Sequence, residues 1–215
     1  IVPDFEADTS LGPIKFHEWL GDSWAILFSH PADYTPVCTT ELGFAARIAD
    51  QFEARGVKMI ALSCDDADSH RGWVGDISAS QGVEVKYPII ADTDRTIAAK
   101  FNMLDHEEVG EKDAKGLPVT VRSVFIIGPD KRVKLTLTYP PAIGRNFDEI
   151  IRVIDALQLT ATHPVATPVN WNKGSDVMVV PTLSPADAAA KFPEHKAVEV
   201  PSGKGYIRLT ADPSA

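Results

Sequence analysis

Five short apolar runs constrain this chain most: WAILFS at 24–29, KMIALSC at 58–64, YPIIAD at 87–92, VRSVFIIG at 121–128 and RVKLTLTY at 132–139. Each has strand length, and helical patterns separate most of them, at 38–55, 67–80 and 94–102, with a fourth at 146–158 after the last. That alternation predicts an α/β fold. The last two runs follow one another through GPDK, so they read as an antiparallel hairpin and make the sheet mixed. The final helix should open at Asn146, with Glu149 completing a capping box, and carry an apolar stripe of Ile150, Ile151, Val153, Ile154 and Leu157.

Beyond 160 the texture changes to ATHPVATPVNWNKGSD, where prolines and small polar residues mark a boundary. A first domain over 1–160 and a small α+β extension over 161–215 are expected. The extension offers a strand in VMVVPTL, a short helix opened by Ser184 and Pro185, and a glycine-turned strand pair around PSGKGYIRL. So short a tail buries little surface alone, so it should pack on the first domain or, the preferred reading, on a partner subunit.

Several function classes are excluded by composition. A formal net charge of -9 without a basic tract argues against nucleic acid or an anionic membrane surface as partner. The apolar runs fall far short of the roughly 20 residues that cross a bilayer, so no stable membrane insertion is expected. The only cysteines, Cys38 and Cys64, make neither a disulfide framework nor a CxxC pair. A reducing compartment, hence a cytoplasmic location, is the expectation. The sequence begins IVPDFE without a methionine, which leaves an organellar presequence open. Six histidines lie far apart with no HxxxH or HxH spacing, so neither a metal nor a cofactor is expected.

The chemistry points to SHPADYTPVCTTELG, residues 29–43. Pro36 suits the first helical position and Thr35 the N-cap, which puts Cys38 in the first turn near unpaired backbone N–H groups. A helix N-terminus and a neighbouring cation both favour a thiolate. Ionisation alone gains only about thirtyfold, roughly 2 kcal/mol of barrier, so donors aimed at the leaving group are also needed, and Thr35 and an arginine are the candidates. Arg122 alternates with Val124 and Ile126 on an apolar strand, and it either meets a buried anion or faces water from an edge. Cys38 has its own bland alternative as a small buried hydrophobe, against which its place in the first turn favours reactivity.

These residues resemble a family. PADYTPVC fits the PxxxTxxC motif of peroxiredoxins, and SHPADYTPVCTTELG, GPDK, YPPAIGRNFDEI and TPVNWNKGSDVMVVPT together resemble its one-cysteine, peroxiredoxin-6-type subfamily over nearly the whole chain. The resemblance implies a thioredoxin-like fold with a mixed central sheet. It also implies a thiol peroxidase in which Cys38 reduces hydrogen peroxide and organic hydroperoxides through a sulfenic acid. Carried over by residue, Pro31 shields the thiolate, Thr35 hydrogen-bonds the peroxide, Arg122 holds thiolate and substrate, and His30 lies beside the pocket. Arg145 supports the site and Glu41 orients the arginines. A homodimer is implied as well.

The sulfenic acid must return to thiol, and with no obvious resolving cysteine an external thiol or other small reductant is required. Cys64 reads as a core or strand-end residue. Two rivals are weighed. Relatives in the subfamily are described as phospholipases with a Ser, His and Asp set, matched here by Ser23, His17 and Asp130. The motif reads GDSWA, however, with Ala25 in place of the last glycine, and Ser23 precedes a strand where a nucleophile elbow would follow one. The other rival is a redox sensor or chaperone-like protein that oxidation of Cys38 switches once.

Overall fold

The computed structural model describes residues 1–105 and 112–215. A small hairpin of β1 (Glu6–Ala7) and β2 (Ile14–Lys15) leads into helix α1 (Phe16–Leu20) and strand β3 (Trp24–Ser29). Then α2 (Pro36–Arg47), α3 (Ala49–Glu53), β4 (Val57–Ser63), α4 (Ala67–Gln81), β5 (Ile89–Ala91) and α5 (Thr96–Lys100) carry the chain to β6 (Arg122–Ile127) and β7 (Val133–Tyr139). The main sheet has the order β5-β4-β3-β6-β7, parallel from β5 to β3 and antiparallel from β3 to β7. The expected mixed sheet and its closing hairpin are present.

Burial explains why these strands are legible. β3 and β6 are buried almost throughout, so they read as unbroken apolar runs, whereas β7 alternates exposed and half-buried positions as an edge strand does. On one side of the sheet, Leu27, Ile60, Leu62, Phe125 and Ile127 pack with Phe5, Phe16 and Leu20. Phe5 stacks on Phe16 at 4.5 Å between ring centroids.

The helix expected over 38–55 is two helices. At Ile48 the backbone leaves the helical region (φ -104°, ψ 16°), although apolar residues continue in step across the break as Ala45, Ile48 and Phe52. Side-chain periodicity is blind to that local change of direction. The two-residue strands β1 and β2 are too short to show a period at all.

A second compact unit runs from Phe147 to Ala215. It contains α6 (Phe147–Thr162), β8 (Val165–Ala166), β9 (Val177–Val179), α7 (Pro185–Lys191), β10 (Lys196–Ala197) and β11 (Arg208–Thr210), with its antiparallel sheet in the order β10-β11-β9-β8. The units divide at Asn146/Phe147, earlier than the change in sequence texture near 160. Leu159 of α6 joins Val165, Trp171, Val177, Val179, Ala188 and Phe192 in this unit's own core, so the helix belongs with the residues after it. As expected, Pro185 opens α7 and Ser184 Oγ accepts from the Asp187 N–H at 3.1 Å. Among the described residues no helix is long and apolar enough to cross a membrane.

Candidate active site around Cys38

The end of β3 hands the chain to His30 and Pro31, both buried, and a tight loop then enters α2. Tyr34 takes a left-handed conformation (φ 54°), and Thr35 is extended (φ -112°, ψ 148°), as a residue before proline must be. Pro36 then opens the helix and Cys38 sits in its first turn, fully buried. Its position among the unpaired N–H groups is the one expected.

Thr35 departs from expectation. It occupies the N-cap but makes no side-chain cap bond; its hydroxyl donates to the Ala32 carbonyl at 2.9 Å. With its proton committed there, Thr35 Oγ1 can offer a ligand an acceptor rather than a donor.

Arg122 opens β6 and is buried, so its alternative as a water-facing arginine is excluded. Its Nη1 donates to Cys38 Sγ at 3.3 Å and to Glu41 Oε2 at 2.7 Å, while Nε donates to the Pro141 carbonyl at 2.8 Å. Glu41 lies one turn after Cys38 on α2 and also binds Arg145. The Arg145 backbone N–H and Nε reach Oε1 at 2.6 and 3.0 Å, and Nη2 reaches Oε2 at 2.8 Å. Arg145 Nη1 ties this cluster to the sheet through the carbonyls of Ser29 and Ser123 at 2.8 and 3.1 Å. Its guanidinium lies 5.3 Å from the Phe28 ring centre.

Two buried cations thus face one buried carboxylate and one sulfur. Burial alone would push the Glu41 carboxyl up, but Arg145 and then Arg122 hold it below the usual carboxylate range. With Glu41 ionised, the set is neutral only when Cys38 is a thiolate. The arginine N–H aimed at sulfur is the charge-assisted bond a thiolate accepts.

A model of the AhpC/TSA family matches residues 1–136, and one for the C-terminal domain of 1-Cys peroxiredoxin matches residues 156–195. Peroxiredoxin-6 of Rattus norvegicus is 56% identical over 99% of this chain and 96% of its own length, and that of Homo sapiens is 52% identical over the same shares. The chain is a peroxiredoxin. Among solved structures, a cysteine-to-serine variant of the peroxiredoxin 6 of Arenicola marina has a TM-score of 0.96 and 51% identity, covering 100% of this chain and 97% of its own. A yeast mitochondrial 1-Cys peroxiredoxin has a TM-score of 0.88 and 46% identity, covering 98% and 96%. The peroxiredoxin is therefore a thiol-dependent peroxidase with the thioredoxin-like fold of its family, a class that acts on peroxides with thiol reductants.

The sensor and phospholipase alternatives are not favoured. The residues that would make a hydrolase do not meet among the described contacts of this peroxiredoxin. His17 donates Nε2 to the Val2 carbonyl at 3.0 Å and turns Nδ1 toward Asp4 at 3.8 Å, whereas Asp130 accepts from Lys134 Nζ at 2.6 Å. Cys64 is half-buried just past β4, and burial pushes its thiol up to about 12.

A second buried cluster escaped the sequence reading. His30 Nε2 meets Asp33 Oδ1 at 2.9 Å, and His70 Nδ1 of α4 meets Asp33 Oδ2 at 2.7 Å. These ligand-type atoms lie within 4.8 Å of one another, so local histidine spacing was no guide to which imidazoles meet. Asp33 and His70, with Ser69 Oγ donating to Asp33 Oδ2 at 2.8 Å, are united only because the loop before α2 and the start of α4 lie side by side. The sole local signal was an acid three residues after His30.

Proposed function

We propose that Cys38 is the peroxidatic nucleophile of this peroxidase and that a single-cysteine cycle returns it to thiol. The carrying observation is the 3.3 Å bond from Arg122 Nη1 to Cys38 Sγ inside a charge-balanced set with Glu41 and Arg145. The thiolate attacks one oxygen of the hydroperoxide; an S–O bond forms, the O–O bond breaks, and the departing oxygen takes up a proton to leave as alcohol or water. Arg122 stabilises the charge as it moves from sulfur to that oxygen, and Thr35 Oγ1 accepts from the peroxide O–H. Pro31, buried in the loop beside the site, keeps water from the thiolate. Glu41 and Arg145 hold Arg122 in place, and His30 lies beside the pocket.

An external thiol then attacks the sulfenic sulfur, releasing water and leaving a mixed disulfide that a second thiol reduces. A Cys64 thiol pushed up to about 12 is a poor attacking group at neutral pH. The yeast mitochondrial 1-Cys peroxiredoxin has its thiol resolved via glutathione and thioredoxin systems, which supports a reductant of that kind here. The open edge of β7, seven residues long without a proline, supports pairing with a second copy as a homodimer. The paucity of cysteine supports a cytoplasmic location.

Peptide mass spectrometry after one equivalent of hydrogen peroxide tests this reading on wild type, Cys38→Ser and Cys64→Ser. Oxygen added at Cys38, no Cys38–Cys64 disulfide, and no turnover in Cys38→Ser are expected. A disulfide between the two cysteines, or undiminished turnover in Cys38→Ser, overturns it.

A further inference from the structure

The cluster of His30, Asp33 and His70 has a protonation pattern that its partners fix. His70 is fully buried between two acceptors: the Ile90 carbonyl, 3.1 Å from Nε2, and the Asp33 carboxylate, 2.7 Å from Nδ1. A carbonyl cannot donate, so Nε2 carries a proton. An ionised carboxylate cannot donate either, so Nδ1 carries one too.

Asp33 is ionised. Burial alone would raise its carboxyl, but hydrogen bonds from His30 and then His70 hold it well below the usual range. Ser69 Oγ adds a third donor at 2.8 Å on Oδ2. The Asp33 backbone N–H is anchored on Asp65 Oδ2 at 2.9 Å, itself steadied by Ser63 Oγ at 2.8 Å. One carboxylate thus balances the His70 imidazolium, and none of its charge is left to compensate a second one. Burial accordingly pushes His30 down and keeps it neutral.

A neutral His30 that donates Nε2–H to Asp33 Oδ1 must bear a bare lone pair on Nδ1. That atom has no hydrogen-bond partner although the residue is wholly buried, and it is the one orphaned buried side-chain acceptor among the described residues. An unmet acceptor in a dry site costs roughly 1–3 kcal/mol, so its retention calls for a donor that arrives with a ligand. Two links tie His30 to the elements that carry the reacting thiol. The His30 ring packs 5.1 Å from Trp73, whose Nε1 donates to Thr39 Oγ1 next to Cys38, and the Ser29 carbonyl just before His30 is held by Arg145.

We propose that Asp33, with its charge balanced by a doubly protonated His70, is a positioning residue for the peroxidase reaction, locking His30 with its proton on Nε2 and its Nδ1 lone pair free to accept a reactant O–H. The donor is the hydroperoxide O–H, which His30 Nδ1 shares with Thr35 Oγ1 in a three-centre bond and which remains on its oxygen when that oxygen joins sulfur, so His30 neither gains nor loses a proton in the step. This role rests on the assignment of Cys38 as nucleophile, but the ring protonation can be read without it.

The test is histidine-labelled full-length protein studied by two-dimensional proton–nitrogen NMR, with ring signals assigned through single histidine variants. Protons on both nitrogens of His70 and on Nε2 alone of His30 are expected. Asp33→Asn should remove the second proton from His70. It should also slow stopped-flow oxidation of Cys38 by about tenfold, the scale of one lost hydrogen bond to the reactant, while mass spectrometry still finds the oxygen on Cys38. A proton on His30 Nδ1, a singly protonated His70, or wild-type oxidation kinetics in Asp33→Asn overturns the proposal. The wild-type spectrum decides even if the variant does not fold. Wild-type protein that takes no oxygen at Cys38 overturns the nucleophile assignment and this role together, whereas correct oxidation with the wrong ring protonation overturns this proposal alone.

Discussion

Glu41 accepts three hydrogen bonds from Arg145, one from the backbone and two from the guanidinium, so the residue that supports the site is itself clamped before Arg122 is engaged. Removing the carboxylate leaves two buried cations opposing one another. Glu41→Ala is expected to cost about 3–5 kcal/mol of stability, the usual penalty for an uncompensated buried charge. Thermal unfolding should show it, and Glu41→Gln, which keeps the shape and one acceptor, should lie between the variant and wild type.

Arg122→Lys keeps a charge but loses the fork. A lysine cannot bind the Pro141 carbonyl through a fixed Nε while presenting a second nitrogen to both Cys38 Sγ and Glu41. Stopped-flow oxidation should slow on the order of 10²–10³-fold, as when a donor to developing charge is removed. A rate within a few-fold of wild type would mean that charge alone, without direction, is what Arg122 supplies.

Acid stability should reflect Glu41 and Asp33 together. Both carboxyls are held below their ordinary values in the fold, so each contributes stability present above the unfolded value near pH 4 and lost as pH falls toward the folded one. Asp92 acts in the opposite sense, since burial raises it despite bonds from the Ala98 and Ile97 N–H groups, and its protonation favours the folded chain. Asp212 and the more exposed Asp4, Asp94, Asp113, Asp130 and Glu149 are lowered as well, so the lowered carboxyls outnumber Asp92 and predict a net fall in melting temperature from about pH 5 downward. The fall should be shallower in Glu41→Gln.

Much of this was visible in the sequence because the signals are local. The five apolar runs became the five strands of the main sheet, and Thr35-Pro36 fixed the start of α2 and the place of Cys38. What was not visible depends on distance along the chain. Asp33 and His70 meet across 37 positions because α4 returns beside the loop that precedes α2, and no period or motif records that return. Thr35 takes the N-cap position that the sequence predicts, but its hydroxyl donates to the Ala32 carbonyl and accepts no cap bond from the helix, a local choice that residue type alone does not encode. The boundary near 160 was displaced for a related reason, since composition marks where α6 ends while packing decides which unit owns it.

Cys64 should be chemically quiet. Its thiol is half-buried and pushed up to about 12 by burial, with Asp92 and Asp65 adding to the effect against Arg95. Peroxide at one equivalent should leave it unoxidised, and Cys64→Ser should oxidise at Cys38 with wild-type kinetics. Peptide mapping with an isotopically coded thiol label before and after peroxide checks both statements.

Two glycines lie where α4 meets α2 and the loop before it. A Cβ on Gly43 would lie 2.4 Å from Gln81 Cγ and 2.8 Å from its Cβ, close to the α4 backbone rather than at the free end of a side chain. A Cβ on Gly72 would lie 2.5 Å from the Tyr34 hydroxyl, at the tip of an exposed ring that can swing away. Gly43→Ala should therefore destabilise by about 1–3 kcal/mol through overpacking, and Gly72→Ala by less. Because α2 carries Cys38 and Glu41 while α4 carries His70, Gly43→Ala should also slow Cys38 oxidation. Equal melting temperatures for the two variants would show that α2 and α4 can part without cost, and that their spacing is not what holds the two buried clusters in register.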